Sequence, residues 1–561
     1  MNVAEAIAEA LLAEGVRVAA GITGQSIGQL ADALALAPEI SLIYVRQERV
    51  AIDICDGFAR ASGQPAVAFT DAGPAVANAM GGLVNSWGDS SPVLLIAGHN
   101  ARFDLPQGQS KEIPFRAMFG PVSKWLAIIE DACQVEEVMR RAFMQLRTGR
   151  PGPVVIGLPV DVSRMPAAGG RYSPLASRPP VRSGGDPQAI EEAVRLMARA
   201  ERPYLYTGAG ILASDATPEL VRFAELLTLP VATTLNGKGG FPEDHDLALG
   251  IGGFGRARYG SLPATILAEE ADLVMTIGCG FKSPATVKPL PQSFRHIQID
   301  ADAGELHKHH LADLAILGDA KIVLAQLAEA AGRMLPPARR APVAARRQTV
   351  AGLKARWQSV SAPLVESDEM PINPFRVTGE LMRLTDPAKT ILLHDAGTVR
   401  GSTAQHYLAT VPRSFLGYGV QSAMGWSLGA AIGAKKAAPD RLVIAIIGEE
   451  AFGETAMDIE TSVRVGAPIL IIVKNNRAFF DRDGGASPNL ARLRFDGGVD
   501  ITAVAAALGA HSARIEDPKQ LGAGLKAAIA QVAAGRTSLV EVMTKRVKTS
   551  LYERWETAVK V

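Results

Sequence analysis

Apolar positions in this chain gather into short continuous runs separated by stretches of helical spacing, and the clearest case is 447–476, IGEEAFGETAMDIETSVRVGAPILIIVKNN. An apolar run at 442–447 ends at Gly448-Glu449-Glu450. Ala456, Ile459 and Val463 then share one helical face, and a second apolar run at 469–473 ends at Asn475-Asn476. The pattern predicts strand, helix, strand. Right-handed crossover makes the two strands parallel, and ligands of such sheets sit beyond the carboxyl ends of the strands. Glu449 and Asn476 then lie side by side at one rim, a carboxylate beside an amide oxygen. Hard oxygen ligands of that kind suit Mg²⁺ or Ca²⁺, especially an ion that also holds phosphate oxygens. The plainer alternative is an ordinary βαβ unit with solvated acids.

The same alternation fills the rest of the chain. In the first 165 residues, helix signals at 3–14, 26–34 and 51–62 alternate with strand signals at 16–20, 41–45, 66–69, 93–97 and 154–158, which predicts an open, doubly wound sheet. Residues 165–187, rich in Pro, Ser, Gly and Arg, read as a linker. A second α/β unit follows, with strands at 204–207, 231–234, 273–277 and 296–299. Gly208, Gly210, Gly278 and Gly280 end two of these strands, as tight turns at a ligand-facing rim do, but the pattern is too common to name a nucleotide site. PPARRAPVAARRQ at 336–348 reads as a basic, solvated linker. A third unit, with a further strand at 391–393, contains the opening stretch. The fold class is therefore α/β, with three doubly wound parallel-sheet domains at 1–165, 186–335 and 370–545. A tail at 546–561 carries Tyr552 and Trp555 at helical spacing.

Composition narrows the function classes. At 561 residues, 48% hydrophobic and 20% charged, the chain is an ordinary globular protein with room for about three domains. With 58 basic and 57 acidic residues its net charge is +1, which supplies no field for nucleic acid or an anionic membrane. No apolar run approaches the roughly 20 residues of a membrane span. Cys55, Cys133 and Cys279 are odd in number and lack metal spacing, so they read as reduced structural thiols. The opening MNVAEAIAEALLAEG holds three acids and no basic n-region, so it reads as a helix rather than an export signal, and the cytoplasm is the expected compartment.

Three stretches together resemble the thiamine diphosphate-dependent enzymes, of the acetolactate synthase-like, large catalytic subunit type. The 447–476 stretch is similar to that family's Gly-Asp-Gly followed by Asn-Asn, with Glu449 where the family has Asp and Glu450 where it usually has a small residue. GYGVQSAMGWSLGAAIGAKKAAPDR at 417–441 resembles the segment that precedes this motif. RQERVAIDICDGFARASGQPAVAFTDAGPAVANAM at 46–80 resembles the family's Glu, small-residue helix, Gly-Pro turn and Asn. The middle stretches LNGKGGFPEDHDLALGIGGFG, EADLVMTIGCGF and TGRPGPVVIGLPVDV look like acetolactate synthase and its relatives. The first and third domains are then expected to share the thiamine diphosphate-binding fold.

The resemblance implies roles residue by residue. Glu48 is the catalytic acid, sharing a proton with a ring nitrogen of the cofactor. Gly73, Asn78, Gly397, Thr398, Ser422, Met424, Gly448, Glu450 and Ala451 bind the cofactor, with Met424 wedged between its two rings and the turn at Gly397 and Thr398 holding the diphosphate. Glu449, Asn476 and Ala478 hold Mg²⁺. Gln47, which replaces a common His, and Lys111, in SKEIP where acetolactate synthases have a Phe-Gln pair, face the substrate. Flavin (FAD), bound by some relatives, has no decisive mark here. Because Glu48 and Glu449 lie in different domains, the resemblance implies a homodimer or homotetramer with active sites between subunits.

Three readings follow. The first is a thiamine diphosphate- and Mg²⁺-dependent carbon-carbon lyase or carboligase acting on a pyruvate-like 2-oxo acid. A second keeps the cofactor but takes an acyl-CoA, since AFGETAMDIET at 451–461 is similar to oxalyl-CoA decarboxylase and 2-hydroxyacyl-CoA lyase relatives. The third is a non-catalytic relative, because Glu449, Glu450 and Glu454 crowd the place meant for a diphosphate and their repulsion has to be offset.

Overall fold

The computed structural model describes residues 1–168, 172–178, 180–252, 260–281, 294–335, 343–417, 419–478 and 498–547. Its frame is three parallel sheets of six strands each. The first contains β1 (Val18–Gly21), β2 (Ser41–Tyr44), β3 (Ala66–Thr70), β4 (Val93–His99), β5 (Trp125–Ile128) and β6 (Val154–Pro159), in spatial order β2-β1-β3-β4-β6-β5. The second contains β7 (Pro203–Thr207), β8 (Val231–Thr233), β9 (Ala248–Ile251), β10 (Leu273–Ile277), β11 (Arg295–Asp300) and β12 (Leu314–Leu317), ordered β12-β11-β10-β7-β8-β9. The third contains β13 (Thr390–His394), β14 (Phe415–Gly417), β15 (Leu442–Gly448), β16 (Leu470–Asn475), β17 (His511–Ile515) and β18 (Ser538–Met543), ordered β14-β13-β15-β16-β18-β17. Helices cover the sheet faces, so the central strands are apolar on both sides. Strand order reverses between β1 and β3, between β7 and β10, and between β13 and β15. Each reversal opens a crevice at the strands' carboxyl ends.

The first and third sheets share one hydrophobic core. Its centre is a seam between the helix Glu48–Ser62 and the helix Trp426–Ala437. Three glycines permit the close approach. A Cβ at Gly57 would collide with the backbone of Ala430, one at Gly429 with Asp53, and one at Gly433 with the carbonyl of Ile54. Trp426 fills the seam completely buried and donates from Nε1 to Asp56 at 2.7 Å. Gly63, at φ +77°, ends the first helix in the left-handed conformation that glycine adopts without strain.

The middle unit is tied to the other two by buried polar links. The Lys238 ammonium pairs with Glu243, which also accepts the Ala409 N–H at 2.8 Å. Arg413 donates to the Arg60 carbonyl at 3.1 Å and the Leu212 carbonyl at 2.6 Å, and so touches all three units. Two stretches read as linkers are more ordered than their composition suggests. In 165–187, Tyr172 Oη and the amides of Leu175 and Ala176 all donate to the buried Glu14 carboxylate. In 336–348, residues 343–348 open the helix Val343–Val365, and Arg346 caps the carbonyls of Ala200 and Leu227 instead of facing solvent. Val463, grouped above with Ala456 and Ile459, is 39% exposed. Tyr552 and Trp555 lie outside the described residues.

One seam residue makes stability depend on pH. Asp53 is fully buried, and neither carboxyl oxygen has a hydrogen-bond partner among the described residues. Burial pushes its carboxyl up to about 8 from an ordinary 3.8, against the pull of Arg49. The folded value lies above the unfolded one, so stability present at low pH is lost as pH rises through that window. Asp53→Asn keeps the shape and removes the titration. In urea unfolding, wild type should lose roughly 1–3 kcal/mol relative to the variant between about pH 5 and about pH 9. Parallel pH profiles would show that Asp53 does not titrate there.

Candidate functional site

The crevice between β13 and β15 collects the residues singled out in the third unit. β13 ends at His394, and the next residue, Asp395, is buried and accepts three backbone N–H groups: Ala396 at 2.7 Å, Gly425 at 2.9 Å and Ser427 at 2.8 Å. It thereby fixes the turn after β13 to the turn that carries Met424. Gly397, at φ +77°, precedes the helix Thr398–Ala404. A Cβ at Gly397 or at Gly448 would meet nothing within 4 Å, so both strand ends border open space.

β15 ends at Gly448, and the helix Glu449–Thr455 begins immediately, with Ala451 buried in the shared core and Glu450 partly exposed. After β16 the two asparagines divide the work. Asn475 turns inward and donates to Glu541 at 2.7 Å, leaving Asn476 at the rim. The Ala478 N–H donates to Glu449 Oε1 at 2.9 Å and to Asn476 Oδ1 at 2.9 Å. The two oxygens and the Ala478 backbone therefore converge on one point. Burial raises the Glu449 carboxyl to about 7, restrained by its own and the Ala478 backbone N–H groups. Among the described residues no three His, Cys, Asp or Glu side chains gather to hold a metal unaided. One carboxylate and one amide oxygen beside open space fit a hard cation whose shell is completed by phosphate oxygens.

The first unit brings Glu48 to the same end of the seam. Glu48 opens its helix, is partly exposed, and accepts from Asn78 Nδ2 at 3.1 Å. Asn78 ends the short helix Pro74–Asn78, which Gly73 starts at φ +66°. Gln47 is exposed and caps nothing with its side chain. Lys111 lies over Gly73 and its ammonium is paired with Asp71 at 2.6 Å. Met424 packs partly against the shared core, and Ser422 accepts from Arg400 at 3.1 Å.

Sequence reasoning passed over Arg49, Asp71, Asp395 and Thr455. Asp71, held by Ser26 and Lys111, fills the crevice of the first sheet. Thr455 Oγ1 donates to the Gly425 carbonyl at 3.1 Å, fastening the helix that bears Glu449 to the Met424 turn. Arg49 donates to the Met424 carbonyl and, at 2.8 Å, to Glu454. The third crevice, between β7 and β10, opens into a cavity of about 780 Å³ lined by Gly208, Gly278, Asp300, Arg60, Arg150 and Arg413. The paired glycines of the middle unit do, then, stand at a ligand-sized space.

Comparison with known proteins assigns this architecture. Residues 1–118 match the thiamine pyrophosphate enzyme N-terminal TPP binding domain, residues 190–327 the central domain, and residues 395–542 the C-terminal TPP binding domain. The chain belongs to the thiamine pyrophosphate enzyme family. It is 32% identical over 546 residues to a probable acetolactate synthase large subunit of Methanococcus aeolicus, covering 94% of this chain and 90% of that protein. The acetolactate synthase isozyme 3 large subunit of Escherichia coli K12 is 27% identical, covering 96% and 94%. The glyoxylate carboligase of Escherichia coli O157:H7 is 30% identical, covering 98% and 94%. No helix among the described residues is long and apolar enough to cross a membrane.

In this thiamine pyrophosphate enzyme the placing of Met424 depends on Asp395. Asp395→Ala leaves three buried N–H groups without an acceptor and should cost on the order of 2–4 kcal/mol in urea unfolding. Asp395→Asn retains an acceptor oxygen and should cost less. Equal stability of Asp395→Ala and wild type would rule out the bridging role.

Proposed function

We propose that the chain is a thiamine diphosphate- and Mg²⁺-dependent carboligase that acts on a 2-oxo acid, of the acetolactate synthase type. The observation that carries this reading is the convergence of the Glu449 and Asn476 oxygens on the Ala478 N–H at the carboxyl ends of β15 and β16, beside the β13/β15 crevice. Residues 1–165 supply Glu48 and the pyrimidine side, residues 370–545 the diphosphate and metal side, and residues 186–335 the central unit between them. Thiamine diphosphate, when bound, supplies a nucleophilic carbon and an electron sink for making or breaking a carbon-carbon bond. Glu48, whose Oε2 accepts from Asn78, would exchange a proton with the cofactor ring. Met424 sets the shape of the cofactor pocket, with Ser422 beside it. The open backbone at Gly397, Thr398 and Gly448 admits the diphosphate. Glu449 and Asn476 would hold Mg²⁺ through their side-chain oxygens and Ala478 through its backbone carbonyl, since its N–H cannot ligate a cation, and Glu450 and Ala451 line the same turn.

Substrate meets the rim that carries Gln47 and Lys111. The Lys111 ammonium already faces Asp71, so a substrate carboxylate shares a partly neutralised cation. The acyl-CoA reading, drawn from the 451–461 stretch, would place the nucleotide end of CoA, or FAD, in the cavity between β7 and β10 beside the central sheet. Protection of the protein against heating by CoA or ADP tests it. A homodimer or homotetramer follows from the family resemblance; in the single chain the helices of Glu48 and Met424 already pack together.

Calorimetric titration with thiamine diphosphate should give tight binding with Mg²⁺ and weak binding after chelation. Asn476→Ala should weaken the Mg²⁺-dependent binding by about tenfold or more, as loss of an ion ligand does. No binding by wild type in either condition would favour the non-catalytic reading. Glu48→Gln should bind cofactor and keep its fold but lose turnover of 2-oxo acids by roughly 100-fold or more. Near-normal turnover would remove Glu48 from the mechanism.

A further inference from the structure

Arg49 follows Glu48 in the first turn of the seam helix, and its side chain is 14% exposed. Its guanidinium touches three separate parts of the molecule. One terminal nitrogen, Nη2, donates to the Met424 carbonyl, and Nη1 donates to Glu454 Oε2 at 2.8 Å. Nε stands 3.5 Å from Asp53 Oδ2. Glu454 belongs to the same helix, Glu449–Thr455, as the proposed metal ligand Glu449. Arg49 and Glu48 are adjacent in one helical turn, so this planar fork joins the proposed catalytic acid, the wedge residue and the metal-bearing helix through a single rigid group. A guanidinium can span a carbonyl and a carboxylate in this way, while an ammonium concentrates its charge at one point. No other charged hydrogen bond among the described residues reaches the Met424 backbone.

We infer that Arg49 is a positioning residue for the proposed carboligation site, holding Met424 and the Glu449-bearing helix in register with Glu48. The inference rests on the thiamine diphosphate reading given above and goes beyond it in naming what fixes the first and third units of one chain against each other, on which sites between subunits depend. It also gives Glu454 a partner. One of the three crowded acids thus has its charge met from the first unit rather than by a bound cation.

Arg49→Met keeps the aliphatic length and removes both donors. Arg49→Met should lower kcat by about 10- to 100-fold, the scale of a misplacement near 1 Å, with KM for the 2-oxo acid within about threefold of wild type. The near-ultraviolet dichroism of the thiamine diphosphate and Mg²⁺ complex should change with it. Arg49→Lys should restore only part of kcat, because one ammonium does not span both acceptors. Glu454→Gln leaves Arg49 in place and frees one arm of the fork. It should lower kcat several-fold, and its effect should not add to that of Arg49→Met.

If Arg49→Met does not fold, Glu454→Gln carries the test alone. Unchanged kcat and dichroism in Arg49→Met, or in Glu454→Gln where only that variant folds, overturn the positioning role. A wild type that binds no thiamine diphosphate overturns the functional reading and this inference with it. A wild type that binds and turns over while Arg49→Met matches it overturns this inference alone.

Discussion

Close packing of the Glu48–Ser62 and Trp426–Ala437 helices is the constraint on which the rest of the structure depends. Each helix lies against its own sheet, and across this seam the two sheets share one core. Val50 and Asp53 meet Gly429, Gly57 meets Ala430, and Ile54 and Phe58 meet Gly433, so the helices cross with their backbones in close contact. Arg49 donates to the Met424 carbonyl, which brings the two N-terminal ends together. Any side chain larger than hydrogen at Gly433 would push on the Ile54 carbonyl and displace one helix against the other.

Such a seam would be simpler if it were wholly apolar, yet it contains Asp53, Asp56 and Asp395, all buried. Asp395 is satisfied by three backbone N–H groups, and Asp56 accepts from Trp426 at Oδ2 while its Oδ1 has no hydrogen-bond partner among the described residues. Buried polar groups in that state stabilise one arrangement against its neighbours, because a shift of an ångström leaves them unsatisfied. Among the described residues Asp53 has only the nearby Arg49 Nε, at 3.5 Å. The least satisfied group of the seam is thus beside the residue that bridges the two halves, and the energetic cost of polarity is concentrated where alignment matters.

Much of the fold was legible because parallel sheets bury their central strands on both faces, and such strands are continuous apolar runs. The strands at 66–69, 93–97, 442–447 and 469–473 announced themselves for that reason. β5, β9, β12, β14 and β17 did not, and all five are edge strands. Trp125–Ile128 is half-buried throughout, and His511–Ile515 is buried only at its last residue. β18 is central but contains the buried Glu541, which interrupts its apolar run and is held by Asn475 and Arg514. At the site, the positions of Glu449 and Asn476 follow from the alternation itself, whereas the parts expected of Glu48, Gly73 and Asn78 rest on the family resemblance. Arg49 was not: its partners Met424 and Glu454 lie 375 and 405 positions away, and no local periodicity records such a pairing.

The departures at 449–450 acquire a physical sense from the same contacts. Three acids close to an intended diphosphate raise the local cost of bringing in more negative charge. Glu454, however, is spent on Arg49, and Glu449 accepts the Ala478 N–H. Glu450 remains partly exposed, where water screens its charge. The effective charge facing the crevice is therefore less than a count of carboxylates suggests. In the proposed site, one half-buried carboxylate and one amide oxygen would still call for a cation to offset an entering diphosphate. The longer side chain at Glu449 is compatible with this, since both it and Asn476 reach the same backbone amide.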